Sequence, residues 1–91
     1  MQKLFQRGEV VRSLAGRDKG SKMLIIEVGE NFALVVDGKS RKTTKPKKKN
    51  LKHIEKISSA TVTELANKIA HGAPVSNGRL KKALCTATEK I

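Results

Sequence analysis

The chain has no tryptophan or tyrosine, and Phe5 and Phe32 are its only aromatic residues. Proteins that hold bare single strands by stacking bases on side chains need several aromatic faces, so stacking is excluded as the main mode of binding here. A single cysteine, Cys85, cannot form an intramolecular disulfide, and no Cys/His cluster has zinc spacing. The fold must therefore rest on packing, which fits a reducing compartment. No apolar run approaches the roughly twenty residues that cross a bilayer as a helix, and residues 1–7 lack the apolar core of a signal peptide. The expected location is cytoplasmic, away from membranes. The eight acids are scattered, and no phosphate-binding loop, nucleophile triad or metal pattern can be read. An enzyme is not expected, nor is a cofactor or a small-molecule substrate.

What the chain has instead is positive charge, and in one place. Its 20 Lys and Arg give a net charge of +12. Nine of the eighteen residues in 39–56 are Lys or Arg, against the one acid Glu55, so this window holds +8 of that total. Residues 1–38 are nearly balanced, with six cations and five acids, and residues 57–91 carry five cations and two acids. Such a window repels itself unless a polyanion covers it, and a nucleic-acid backbone is the simplest one. Lys outnumbers Arg eight to one within it, which suits neutralising phosphates more than reading bases in bidentate fashion. A cationic loop that only discourages edge-to-edge pairing of sheets would need one or two lysines.

Ninety-one residues are enough for one domain. Val10, Val11 and Leu14 lie among Glu9, Arg12 and Ser13 in a β-prone run that ends at the polar loop 15–20, which holds Gly16 and Gly20. A second strand is expected over residues 22–28, where Met23, Leu24, Ile25 and Ile26 run without a polar break, as in a strand covered on both faces or strongly curved. Residues 29–31 make a turn, 32–36 a third strand, and Asp37-Gly38 a hairpin signal. Pro46 makes the basic window a poor central strand. Leu51, Ile54 and Ile57 then anchor a last strand that closes a small barrel.

From Ser58 the apolar period changes to that of helices. Thr61-Val62-Thr63-Glu64 reads as a capping box for a helix with Val62, Leu65, Ala66, Ile69 and Ala70 on one face, ended by Gly72 before Pro74. Ser76 reads as the N-cap of a second helix, with Val75 and Leu80 as its staple and Leu80, Ala83, Leu84 and Ala87 as its apolar stripe. The division expected is a barrel over 1–57 and a helical extension over 58–91. His71 suits the first helix's C-terminus, and Cys85 reads as a small core residue.

The segment 8–20, followed by Lys22-Met23-Leu24-Ile25-Ile26, resembles the KOW motif, two strands and their connecting loop with a glycine matched by Gly20. Residues 33–42 and 45–54 continue a similarity to bacterial KOW-domain RNA-binding proteins, which in turn resemble the fourteen-e ribosomal protein of archaeal and eukaryotic large subunits. The likeness covers residues 6–57. It implies a small SH3-like β-barrel, here mainly β with an α extension (α+β), that contacts RNA through its first loop and nearby basic residues. Carried onto this chain, the loop contacts are Arg12, Ser13, Gly16, Arg17, Asp18, Lys19 and Gly20, with Lys22 at the start of the next strand. The basic window adds Lys39, Arg41, Lys42, Lys45, Lys47, Lys48, Lys49, Lys52 and His53. Glycine lets backbone approach a phosphate, while Arg17 and Lys19 carry charge at the loop tip and Arg17 can stack on a splayed base. The bland reading of this loop is a solvated hairpin turn.

The expected partner is structured RNA, above all ribosomal RNA of the large subunit. The helices are a possible contact for ribosomal or polymerase-associated proteins, although covering the barrel would use up their apolar faces. The alternatives are an RNA-binding regulatory factor of translation or transcription elongation, and a basic adaptor for an acidic protein surface. A membrane role is disfavoured, because no bulky apolar residues interleave the lysines.

Overall fold

A computed structural model of the chain describes residues 5–37 and 46–88. Five strands, β1 (Glu9–Ser13), β2 (Lys22–Val28), β3 (Phe32–Val36), β4 (Lys47–Asn50) and β5 (Ile54–Thr61), are followed by helices α1 (Thr63–Ala70) and α2 (Asn77–Thr88). The strands form one antiparallel sheet in the order β4-β3-β2-β1-β5, curled into a half-barrel. A single 3-10 turn, Leu51–His53, carries the chain from one edge strand to the other.

Curling gives the sheet two apolar faces, which is why β2 is apolar at four consecutive positions. One set of alternate residues, Val11, Met23, Ile25, Ala33, Val35 and Ile54, packs with Phe5 inside the curl. The other set, Val10, Leu24, Ile26 and Val36, faces outward and is covered by Leu65, Ala66 and Ile69 of α1 and by Val75, Leu80 and Leu84 at α2. Removing a large aliphatic side chain from water is worth about 1.5–3 kcal/mol, so both faces contribute to holding the sheet. The helices are thus a second layer of the same core.

Two irregularities aim particular side chains. The register of β2 against β3 shifts between Ile25 and Glu27, and Arg7 reaches across this end of the sheet. Its guanidinium donates to the Ile26 carbonyl (2.8 Å), to Glu27 and to Asn67 of α1 (3.1 Å each). Gly8 lies at φ +95°, and a Cβ there would stand 2.9 Å from the Thr63 Cα. Its carbonyl accepts from the Val62 amide (2.7 Å) and its amide donates to the Ile25 carbonyl (2.8 Å). This residue therefore fixes the join between sheet and α1, and only glycine fits it.

The expected bounds of the second and third strands and the stop at Gly72 all agree with the structure. Ser76 caps α2 as expected, its hydroxyl accepting from the Arg79 amide (3.1 Å). The His71 ring approaches the Asn67 carbonyl through Nδ1 (2.8 Å) at the end of α1.

Several expectations are corrected. Thr61 ends β5, and Val62 stands at the cap of α1 with no side-chain cap bond, so the capping box does not form. β5 runs through the expected 57/58 boundary. The sheet is an open half-barrel whose edges meet through a turn, and His53 sits in that turn and not in a strand. The basic window stays out of the centre of the sheet, as Pro46 implied, but residues 47–50 form an edge strand, β4, that was not expected. Cys85, expected as a small core residue, is exposed. The expected hairpin signal at Gly38 lies outside the described residues.

Candidate nucleic-acid interface

The connection between β1 and β2 is built on hydrogen bonds that only a glycine-rich loop can close. The Gly20 amide donates to the Ser13 carbonyl (2.8 Å), Lys19 to the Gly16 carbonyl (3.2 Å) and Ser21 to the Asp18 carbonyl (2.9 Å). Gly20 lies at φ +89°, a conformation that a side chain would strain. The expectation for this residue rested on that freedom.

Asp18 then ties the loop down. Its carboxylate turns inward and accepts from the Lys49 ammonium (2.8 Å) and the Ser13 hydroxyl (2.8 Å), with the Lys47 ammonium 3.8 Å from its other oxygen. Lys49 also donates to the Ala15 carbonyl (2.9 Å), which lies 2.9 Å from the Ser13 hydroxyl as the alternative acceptor for its one proton. The side chains of Asp18 and Lys49 are only 8% and 7% exposed. Burial by itself would raise the carboxyl's pKa, but the hydrogen bonds from Lys49 and Ser13 and the charges of Lys49 and Lys47 together outweigh it and hold it below the usual value. The carboxylate therefore stays ionised at neutral pH, and its contact with Lys49 clips the loop to β4. A second tie, the Leu14 amide donating to the His53 carbonyl (2.8 Å), joins the loop to the 3-10 turn.

These ties sort the expected site residues. Arg17, Lys19 and Gly20 are exposed on the clipped loop, and Lys52 and His53 are exposed on the turn beside it. Arg17, Lys19 and Lys52 form no side-chain hydrogen bond or ion pair with any described residue. Lys47 stands at the edge of this group, half-buried. Ser13 and Lys49 are reassigned from phosphate contacts to the interior, because both are buried and bound to Asp18. Strand alternation places Lys48 on the opposite face of β4, its ammonium 4.3 Å from the centre of the Phe32 ring. Arg12 pairs with Glu55 across β1 and β5, and Lys22 stands opposite Arg12 on β2. Lys39, Arg41, Lys42 and Lys45 lie outside the described residues.

The acids leave the loop end exposed as a cationic surface. Glu9 is bound to Lys56 (2.7 Å), Glu27 to Arg7 and Asp18 to Lys49. None of these carboxylates stands among Arg17, Lys19 and Lys52 to neutralise them. The arrangement offers charge and donors to an anionic backbone. Among the described residues there is no group of three or more His, Cys, Asp or Glu able to hold a metal, and no helix is long and apolar enough to cross a membrane. No protein-family model matches the chain, and no curated protein matches it.

The clip itself was missed from sequence. Its signal was present in an acid at the centre of a cationic loop, Arg17-Asp18-Lys19, where an unpaired carboxylate would oppose phosphate binding.

Proposed function

We propose that the protein is a KOW-type RNA-binding protein of the ribosome or bound to it, acting in the cytoplasm as a binding protein and not as an enzyme. It contacts structured RNA, above all large-subunit ribosomal RNA, by neutralising phosphates. The observation that carries this reading is the clipped loop, on which Arg17 and Lys19 project unpaired while the one acid between them is turned inward onto Lys49. A loop kept for solubility alone needs no buried ion pair to hold its shape. The KOW and SH3-like assignment is supported by the motif's two strands and loop, which form an antiparallel hairpin with Gly20 at positive φ. The apolar sides of α1 and α2 lie against the sheet, which supports a covering role for them over a docking one.

Binding by phosphate neutralisation has a distinct dependence on salt. Arg17→Ala with Lys19→Ala will weaken binding to unrelated structured RNAs alike. The double variant will reduce the slope of log affinity against log salt by roughly 1.4–1.8, about 0.7–0.9 for each lost contact. Loss confined to one RNA sequence, or an unchanged slope, would refute the phosphate reading. In a sucrose gradient of cell lysate, the protein is expected to travel with large subunits and to leave them on ribonuclease treatment. Release at moderate salt would favour a transient factor of translation or transcription, and a ribonuclease-insensitive peak off the ribosome would favour the protein adaptor.

A further inference from the structure

The base of the loop opens onto a groove whose far wall, on α2, lies beyond the KOW resemblance. Gly20, Ser21 and Lys22 form one wall, and Lys81, Leu84 and Cys85 of α2 form the other. We infer that this groove is a second arm of the RNA interface, in which a backbone phosphate sits between Lys22 and Lys81, so that α2 takes part in binding.

The inference rests on the RNA-binding reading and adds to it a site on the helical layer. Charge argues for it first. Lys22 and Lys81 are both exposed and make no ion pair or side-chain hydrogen bond with a described residue. The one acid in the groove, Asp37, is 5% exposed and already engaged, so it does not supply a counter-ion at the rim. Shape argues for it second. A Cβ on Gly20 would meet nothing within 4 Å, so this wall is open to close approach by a sugar-phosphate chain. The Ser21 hydroxyl, half-buried beside it, has no hydrogen bond to a described residue and can donate to a phosphate oxygen. Helical spacing is the third argument. Lys81, Leu84 and Cys85 recur at three and four residues and so share one side of α2, with Leu84 rooted in the core and Lys81 held beside the loop. The groove is continuous through Gly20 with the loop that carries Arg17 and Lys19, so one RNA strand can follow both.

Cys85 makes the inference testable in the intact chain, because its exposed thiol lies in the groove wall. The experiment measures alkylation of Cys85 by N-ethylmaleimide with and without saturating deproteinised large-subunit ribosomal RNA, with binding of the same RNA followed in parallel. The expected result is at least about tenfold protection of the thiol. In addition, Lys81→Ala should lower the salt slope by about 0.7–0.9, while Lys82→Ala, outside the groove wall, should lower it less. Bound RNA with Cys85 alkylated at the free rate and the Lys81→Ala slope unchanged would overturn the groove while leaving RNA binding by the loop intact. Failure of the wild-type protein to bind RNA at all would overturn both. Protection by polyglutamate and not by RNA would overturn it in favour of an acidic protein partner.

Discussion

A chain cut after Ile57 will not fold. The cut removes α1, α2 and the second half of β5, and with them the cover over Val10, Leu24, Ile26 and Val36. Leu65, Ile69, Val75, Leu80 and Leu84 leave together, and at about 1.5–3 kcal/mol for each side chain returned to water the loss matches the whole stability of an ordinary domain. The fragment should show a collapsed amide proton spectrum, no cooperative thermal transition, and association on size exclusion. A milder form of the same test is Leu80→Ala at a fully buried position. This change should cost about 3 kcal/mol and lower Tm by roughly 12–24 °C. Cys85→Ser, five residues further along the same helix but exposed, should change stability by less than about 0.5 kcal/mol. A 1–57 fragment that unfolds cooperatively with a dispersed spectrum would sink the idea that sheet and helices share one core.

The first three strands were legible because their signals are local, whereas β4 within the basic window was not. The unbroken apolar run Met23 to Ile26 pointed to a strand covered on both faces or strongly curved, and the structure covers both faces, from the inside of the curl and from the helices. The N-cap at Ser76 was legible for the same reason, since its partner lies three residues away. What depended on distant partners was not. Thr61 carries a capping signature, but pairing with Glu9 across the sheet takes it into β5 and leaves Val62 to begin the helix. Gly8 gave no sign that Thr63 would pack against it, because that approach exists only once the sheet and α1 meet. The site shows the same division. The run Lys47-Lys48-Lys49 reads in sequence as three equal charges, yet a strand sends neighbours to opposite faces. Lys49 goes inward to Asp18, Lys47 stays at the edge of the same face, and Lys48 lies over Phe32. Charge density marks the basic window, but only the register of β4 against β3 decides which of its lysines face solvent.

Lys49→Met will therefore behave unlike Lys48→Ala, although both remove one positive charge. Losing Lys49 leaves the buried Asp18 carboxylate with the Ser13 hydroxyl and a more distant Lys47, and breaking a buried pair in this way costs about 3 kcal/mol at pH 7. The sign of the pH dependence follows from the lowered pKa of Asp18. A carboxyl that releases its proton more readily when folded stabilises the fold above its unfolded pKa of about 3.9, and that stabilisation is lost as pH falls through the lower folded value. The stability gap between wild type and Asp18→Asn should thus be full at neutral pH and close as pH drops below about 4. The Lys49→Met gap should narrow over the same acid range, since a protonated Asp18 no longer needs a cation. Gaps that stay constant from pH 7 to pH 3 in urea titrations would mean that folding does not lower the pKa of Asp18. RNA binding separates the two lysines again. Lys49→Met should weaken binding because an unclipped loop must be ordered on the RNA, yet leave the salt slope near the wild-type value, for Lys49 itself faces no phosphate. Lys48→Ala should leave stability nearly unchanged, apart from about 0.5–1 kcal/mol for its contact with Phe32. If Lys49→Met lowers the salt slope by a full contact without lowering stability, Lys49 is a surface ligand for RNA and the loop is held by something other than this ion pair.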